Sequence, residues 1–164
     1  MLPSLKALAA DLDVADFIEF TGRIPDDELI ERLSSCDVCV NPDPANPLNE
    51  KSTMNKVLEY MALGRPIVQY DLKEGRYSAG NASLYATPND ISSFAEAIEC
   101  LLADKRKCER MGAFGRFRME SELEWKHQIP KLLVAYDSVL NNGISRIDKT
   151  GVSSEVETEA QSIM

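Results

Sequence analysis

The chain is 164 residues long, with 18 Lys and Arg against 27 Asp and Glu, a formal net charge of -9 and 44% hydrophobic residues. That length suits one domain with a packed core, and the acidic balance argues against a nucleic-acid binder, which needs concentrated basic surface. No apolar run approaches the roughly 20 residues of a membrane-spanning helix, and the N-terminus lacks a signal-peptide core, so a soluble cytoplasmic chain is expected.

In chain order, Leu5, Leu8, Ala9 and Leu12 mark a helical stripe over 2–12. Phe17-Ile18-Glu19-Phe20 reads as a strand closed by Thr21-Gly22. Pro25-Asp26-Asp27 opens a helix whose buried side is Leu29, Ile30 and Leu33. A strand over 38–41 follows, then a loop with Pro42, Pro44 and Pro47, then a helix predicted from Ser52 to about Leu63. Gly64 ends that helix, and Pro66 begins a strand running to Tyr70. Residues 83–87 form a further strand, and Asn89-Asp90 caps a helix carrying Phe94, Ala97, Ile98, Leu101 and Leu102. Two more helices are predicted over about 105–120 and 124–140.

Strands separated by helices imply right-handed crossovers and a parallel sheet, so the fold class is α/β, doubly wound or part of such a fold. The organised region is placed at 1–147. Residues 148–164 hold four acids, one lysine and no aromatic residue, and read as a solvated acidic tail.

The four cysteines include a C-x-x-C pair, Cys36 and Cys39. The pair falls across the start of an apolar strand, where a separation of three sends side chains to opposite faces. They read as small thiols rather than metal or redox ligands, and no metal site is expected. His127 is the single histidine, so any Ser-His-Asp or Cys-His catalytic set would have to use it. Its place beside Trp125 in a late helix favours a packing role.

Ligands of open parallel sheets bind outside the carboxyl ends of the strands. The stretch that matters is therefore PDPANPLNEKSTMNKVLEYMALGRPIV, from Pro42 to Val68. Met54, Val57, Leu58 and Met61 have helical spacing and should face the sheet, leaving Ser52, Asn55, Lys56 and Glu59 on the other side. Lys51 sits where a helix dipole disfavours a cation unless an anion is near. With Ser52, Thr53 and free amides it makes a set suited to a diphosphate. The spacing equally allows a solvated Lys51, a capping Ser52 and a surface pair between Glu59 and Lys56.

The blocks FTGRIPDDELIERLSSCDVCVNP and STMNKVLEYMALGRPIV, with GNASLYAT, the PND turn and LLAD, resemble the C-terminal, donor-binding domain of retaining GT-B glycosyltransferases of family 4. The likeness covers roughly residues 1–140, and EYMALGRPIV at 59–68 is its most specific piece. It implies a Rossmann-like domain whose substrate is a nucleotide sugar, with no cofactor and no essential bound metal. It implies further that Glu59 binds the ribose hydroxyls and that amides at the start of its helix meet the diphosphate. A carboxylate can accept both hydroxyl hydrogen bonds at once. Gly22 and Arg23 correspond to a turn near the nucleotide base or phosphate, and Asp71 and Lys73-Glu74-Gly75 follow a strand at its carboxyl end, where they can line the donor pocket.

Two departures matter. The family pattern has a glutamate eight positions before the ribose one, contacting the donor sugar; here that position is Lys51, with Glu50 one place earlier as the candidate catalytic carboxylate. The form NPLNEKSTMNK resembles a subgroup of surface-polysaccharide enzymes. The likeness also begins after the family's acceptor domain and the first two strands of the donor domain. Without those strands, 17–20 loses its neighbour and 38–41 acquires an open edge, so either the two come together or a separate chain fills the gap.

The expectation is a donor-binding part that is inactive alone. The rival readings are a non-catalytic binding or assembly module and another GT-B-like enzyme such as an epimerase.

Overall fold

The computed structural model describes residues 2–149. The chain clusters into two compact units, residues 1–36 and residues 37 onward.

In the first unit, helix α1 spans Leu2–Asp11 and α2 spans Asp26–Ser35, with a short 3-10 turn at Ala15–Phe17 between them. The α1 stripe forms as a helix, yet Leu2, Leu5, Leu8 and Leu12 stay exposed and only Ala9 is buried. The predicted strand at 17–20 does not form. Phe17 closes the 3-10 turn with 88% of its surface exposed, and residues 18–20 are irregular. A strand is stabilised by the ladder it joins, so β-branched and aromatic residues without a ladder do not make one. Arg32 ties the unit together, donating from Nε to Glu28 Oε1 at 2.9 Å and from Nη1 to Glu19 Oε2 at 2.7 Å. Its guanidinium holds the Glu19 carboxyl below the usual range.

The second unit is built on three parallel strands, β1 (Cys39–Asn41), β2 (Ile67–Tyr70) and β3 (Ser83–Ala86), in that order across the sheet. Cys39 pairs with Ile67 and Ile67 with Ser83, so Asn41, Gln69 and Tyr85 form one row across the carboxyl ends. β2 is buried along its whole length, as expected for the central strand of a sheet covered on both faces. Helices α3 (Asn55–Ala62) and α4 (Lys73–Ala79) place Val57, Met61 and Ala79 on one face with Ile67. Helix α5 (Ile91–Leu102) covers the other, packing Phe94, Ala97 and Leu101 against Val68, Tyr70 and Ala86. This is the doubly wound α/β arrangement expected, reduced to three strands among the described residues.

Helix α6 (Lys105–Arg118) packs so tightly on the end of α3 that a Cβ built on Gly112 would lie 2.1 Å from the Gly64 carbonyl oxygen. Gly64 ends α3 with φ 66°, and its N–H and that of Arg65 satisfy the carbonyls of Met61 and Tyr60 at 3.0 and 2.9 Å. Only glycine takes that backbone at no steric cost, so the predicted stop is observed for the predicted reason. Asp90 and Asp104 cap α5 and α6 with their carboxylates.

A π-helical turn at Met119–Leu123 leads into α7 (Trp125–Lys149), which carries Pro130 inside it. Ile129, Leu132, Leu133, Tyr136, Val139 and Leu140 of α7 are exposed. The helix therefore extends beyond the predicted end at 140, and the acidic tail expected over 148–164 lies, from residue 150 on, outside the described residues.

None of the four cysteines is in a disulfide; Cys39 is buried and Cys100 exposed, and Cys36 donates its Sγ–H to the Arg32 carbonyl at 3.2 Å. Among the described residues no cluster of three or more His, Cys, Asp or Glu could hold a metal ion, and no helix is long and apolar enough to cross a membrane. His127 lies in the first turn of α7, its Nε2 2.9 Å from the Glu120 carbonyl oxygen, where it joins that helix to the π-helical turn.

Candidate functional site

The three carboxyl ends of the sheet release three loops: 42–54 after β1, Asp71-Leu72 after β2 and 87–90 after β3. The first is the longest, and side-chain hydrogen bonds fix its shape. Asn46 Oδ1 accepts from the N–H groups of Leu48 and Asn49 at 3.0 and 2.9 Å, and Asn49 Nδ2 donates to the Pro44 carbonyl at 2.8 Å. This is an asparagine turn standing in for backbone pairing. Asp43 Oδ2 receives the Lys56 ammonium at 2.8 Å, fastening the start of the loop to the first turn of α3.

The helix predicted from Ser52 begins three residues later. Residues 49–51 form a 3-10 turn, 52–54 are irregular, and α3 starts at Asn55 behind Met54, with no side-chain cap. The hydroxyls explain the delay. Ser52 Oγ turns back to the Leu48 carbonyl at 2.7 Å, and Thr53 Oγ1 donates to Glu74 Oε1 on α4 at 2.7 Å. Neither hydroxyl caps α3; both hold the loop. The opening amides of α3 are left without a side-chain acceptor.

Glu50, the candidate catalytic carboxylate, accepts the N–H of Lys73 at 3.0 Å and so caps the first turn of α4. Lys51, next to it, is exposed, and its ammonium makes no ion pair among the described residues. Asn55 is exposed on the first turn of α3. Glu59 lies one turn further on and is also exposed, with no hydrogen bond or ion pair to its carboxylate among the described residues. The reason is helical period: at about 100° per residue, Glu59 is two positions from both Val57 and Met61 and so points away from their buried face. The surface pair between Glu59 and Lys56 that the sequence allowed is not made, because Lys56 is taken by Asp43.

Lys51, Asn55 and Glu59 thus lie on one continuous segment with exposed side chains, held by the hydrogen bonds of Ser52 to Leu48, Thr53 to Glu74 and Glu50 to Lys73. A cavity of about 560 Å³ lies between α4, the π-helical turn and α7 and takes in Thr53 and Leu58, but not Lys51 or Glu59. Gly22, with φ 63°, and Arg23 belong to the first unit and are exposed there.

Three features escaped the sequence reading. Below the loop, Asn41 and Gln69 form a buried amide pair, Nδ2 to Oε1 at 3.5 Å, and Asn41 Oδ1 has no hydrogen-bond partner although fully buried. A glutamine within the apolar run Ile67–Tyr70 was the available signal. Beside them Asp71 and Arg76 form a two-point ion pair at 2.7 and 2.5 Å, with the guanidinium 4.2 Å from the Tyr85 ring. Arg76 holds the Asp71 carboxyl below its usual range, and burial pushes the Tyr85 hydroxyl up to about 12. Finally, Asn89 in the third loop reaches the first, its Oδ1 accepting from Ala45 N–H at 2.7 Å and its Nδ2 donating to the Ala45 carbonyl at 3.3 Å.

The family model described as "Glycosyl transferases group 1" matches residues 2–104, more than half of the chain. The chain belongs to the group 1 glycosyltransferases. Among glycosyltransferases of this kind it is 30% identical over 145 residues to D-inositol 3-phosphate glycosyltransferase of Stackebrandtia nassauensis, covering 86% of this chain and 31% of that one. It is 28% identical over 134 residues to a GDP-mannose-dependent alpha-(1-6)-phosphatidylinositol monomannoside mannosyltransferase of Mycolicibacterium smegmatis, covering 76% and 34%. The fold matches sucrose-phosphate synthase from Thermosynechococcus elongatus with a TM-score of 0.75 at 23% identity, over 84% of this chain and 34% of that one. The architecture is that of the Rossmann-like half of a GT-B glycosyltransferase. The chain spans about a third of the length of the curated relatives it matches.

Proposed function

We propose that this chain is the nucleotide-sugar-binding part of a retaining glycosyltransferase. The observation that carries the reading is the segment from Lys51 to Glu59, where an exposed cation, uncapped helix amides and an exposed carboxylate follow one another at the carboxyl end of β1. Each complements one part of a nucleoside diphosphate. The α3 amides and Lys51 suit the diphosphate, since a helix start concentrates N–H donors and partial positive charge. Glu59 suits the ribose, whose two hydroxyls are donors that an ionised carboxylate accepts better than any neutral group. Asn55 lies between them as a further donor.

The donor is proposed to be a nucleoside diphosphate sugar, a reading supported by family membership and by relatives whose names specify GDP-mannose. In the whole enzyme the sugar passes to a hydroxyl acceptor with its anomeric configuration kept. The protein's part is to hold donor and acceptor in line and to stabilise charge building on the departing diphosphate. Glu50 is the proposed carboxylate nearest the sugar. Its Oε2 accepts from Lys73 N–H at 3.0 Å, and Oε1 is the oxygen proposed to meet the ligand while that bond is kept. A place in surface-polysaccharide synthesis is proposed from the NPLNEKSTMNK form alone.

The chain by itself is proposed to bind donor without transferring sugar, the acceptor side being supplied by other polypeptide, within a longer chain or as a separate one. Among the described residues β1 is an edge strand with no strand on its outer side, which supports pairing with a further strand. The test is calorimetric titration with UDP, GDP and ADP and the matching monophosphates. One diphosphate should bind best, and its monophosphate should bind more weakly. Equal affinity for diphosphate and monophosphate would remove the role given to Lys51 and the α3 amides, and sugar transfer by the purified chain would contradict the division of labour.

A further inference from the structure

We infer that Asn89 is a positioning residue for the donor site: it clamps the 42–54 loop at Ala45 and thereby sets where Lys51 stands. This rests on the nucleotide-binding reading above and adds to it a residue from a different loop. Ala45 is held at three points. Its N–H and its carbonyl are both bonded by the one Asn89 amide, at 2.7 and 3.3 Å, as a neighbouring strand would bond them. Its side chain packs against the core cluster that includes Val68, Phe94 and Leu101. The contact joins residues 44 apart in sequence and links the loop after β1 to the loop after β3.

Asn89 is suited to this geometrically. Its φ of 62° is a left-handed conformation that asparagine tolerates better than other side-chain-bearing residues, and it directly precedes the Asp90 cap of α5. The clamp is therefore mounted on the fixed end of a 12-residue helix. From Ala45 onward the loop contains its own asparagine turn, and its far end is held by Glu50 at Lys73 N–H and Thr53 at Glu74. With both ends tied, the segment carrying Lys51 has little freedom left to lose on binding, which is the physical content of a preorganised anion site. Release of the Ala45 end would let the turn sample other positions, and affinity for the outer phosphate would fall by the fraction of time the loop is misplaced.

The test uses the full chain with two substitutions. Asn89→Gly keeps the left-handed backbone and removes both amide bonds; Asn89→Asp keeps the oxygen that accepts from Ala45 N–H. The best-binding nucleoside diphosphate, its monophosphate and a Glu59→Ala control are titrated in parallel, with amide hydrogen exchange read over residues 45–53. Losing two hydrogen bonds at the loop should weaken the diphosphate by about tenfold and the monophosphate by less than about twofold, and speed exchange in 45–53 by about tenfold. Asn89→Asp should restore a good part of each effect.

A merely structural role would instead lower the melting temperature and weaken both nucleotides alike, with no rescue, and would overturn the inference. Binding that depends on Glu59 but is unchanged in Asn89→Gly overturns the inference and leaves the donor-site reading standing. No nucleotide binding by the parent chain, or binding indifferent to Glu59→Ala, removes the donor site and the clamp's purpose together.

Discussion

Substituting Gly112 by alanine asks whether α6 is seated as described. The added Cβ would lie 2.1 Å from the Gly64 carbonyl oxygen and 2.8 Å from its carbon, against a floor of 3.0 Å for real Cβ contacts. Helix α6 must then withdraw from α3 by roughly 1 Å, and both atoms it meets are backbone at a turn fixed by φ 66°, so neither can rotate aside. Withdrawal also loosens Gly115, whose own Cβ position is 3.0 Å from the Ala82 Cβ and 3.3 Å from the Met61 Cγ.

Overpacking of this kind costs about 3 kcal/mol, and the better helix propensity of alanine returns about 1 kcal/mol, leaving a loss of ~2 kcal/mol. For a chain of 164 residues that lowers Tm by about 4–8 °C. Thermal unfolding followed by far-UV circular dichroism, with Glu99→Ala on the exposed side of α5 as a neutral control, reads the shift directly. An unchanged or raised Tm for Gly112→Ala would mean that propensity has won and that α6 does not approach Gly64 as described.

Met61→Ala removes a side chain with no exposed surface from the α3 face of the sheet, and should cost about 2–4 kcal/mol in urea unfolding without altering the slope. Asp71→Asn should destabilise at neutral pH and cease to do so in acid. The Asp71 carboxyl is held low by Arg76, so its contribution is complete above the unfolded-state pKa of about 4 and is lost as pH falls through the lower folded value. Melting temperatures of parent and variant should therefore converge as pH falls below about 4, and a gap that stays constant with pH would refute the pairing. Lys51→Gln should weaken nucleoside diphosphates by about fivefold at low ionic strength and by less as salt rises, and a salt-independent loss would point to something other than charge.

The second unit was largely legible in the sequence because its signals are local. Strands 39–41, 67–70 and 83–86 are short apolar runs with proline, glycine or asparagine nearby, and the stop at Gly64 and the start at Asp90 depend on single residues. Failures occurred where the deciding partner is distant. Residues 17–20 have strand composition and no ladder to join. Ser52 and Thr53 have capping chemistry, but their hydroxyls find Leu48 and Glu74 instead. Helix α4, Lys73–Ala79, lacks an apolar stripe and contains Gly75; it went unread, and Gly75 stands where a Cβ would meet Gln69 Oε1 at 2.7 Å.

The site divides in the same way. The outward direction of Glu59 follows from helical period alone, whereas the hold of Asn89 on Ala45 and the Asn41–Gln69 pair depend on which loops and strands become neighbours. Family membership followed from the chain's own segment, while the roles of Lys51, Glu50 and Glu59 rest on chemistry that a ligand has to complete.

The central claim is that Glu59 grips ribose hydroxyls. A thermodynamic cycle tests it: parent and Glu59→Ala chains are each titrated with the preferred ribonucleoside diphosphate and with its 2′,3′-dideoxy counterpart. If the carboxylate and the hydroxyls meet, the parent should prefer the ribonucleotide by about tenfold or more, and Glu59→Ala should show almost no preference, because either change removes the same interaction. A preference that survives intact in Glu59→Ala would contradict the account.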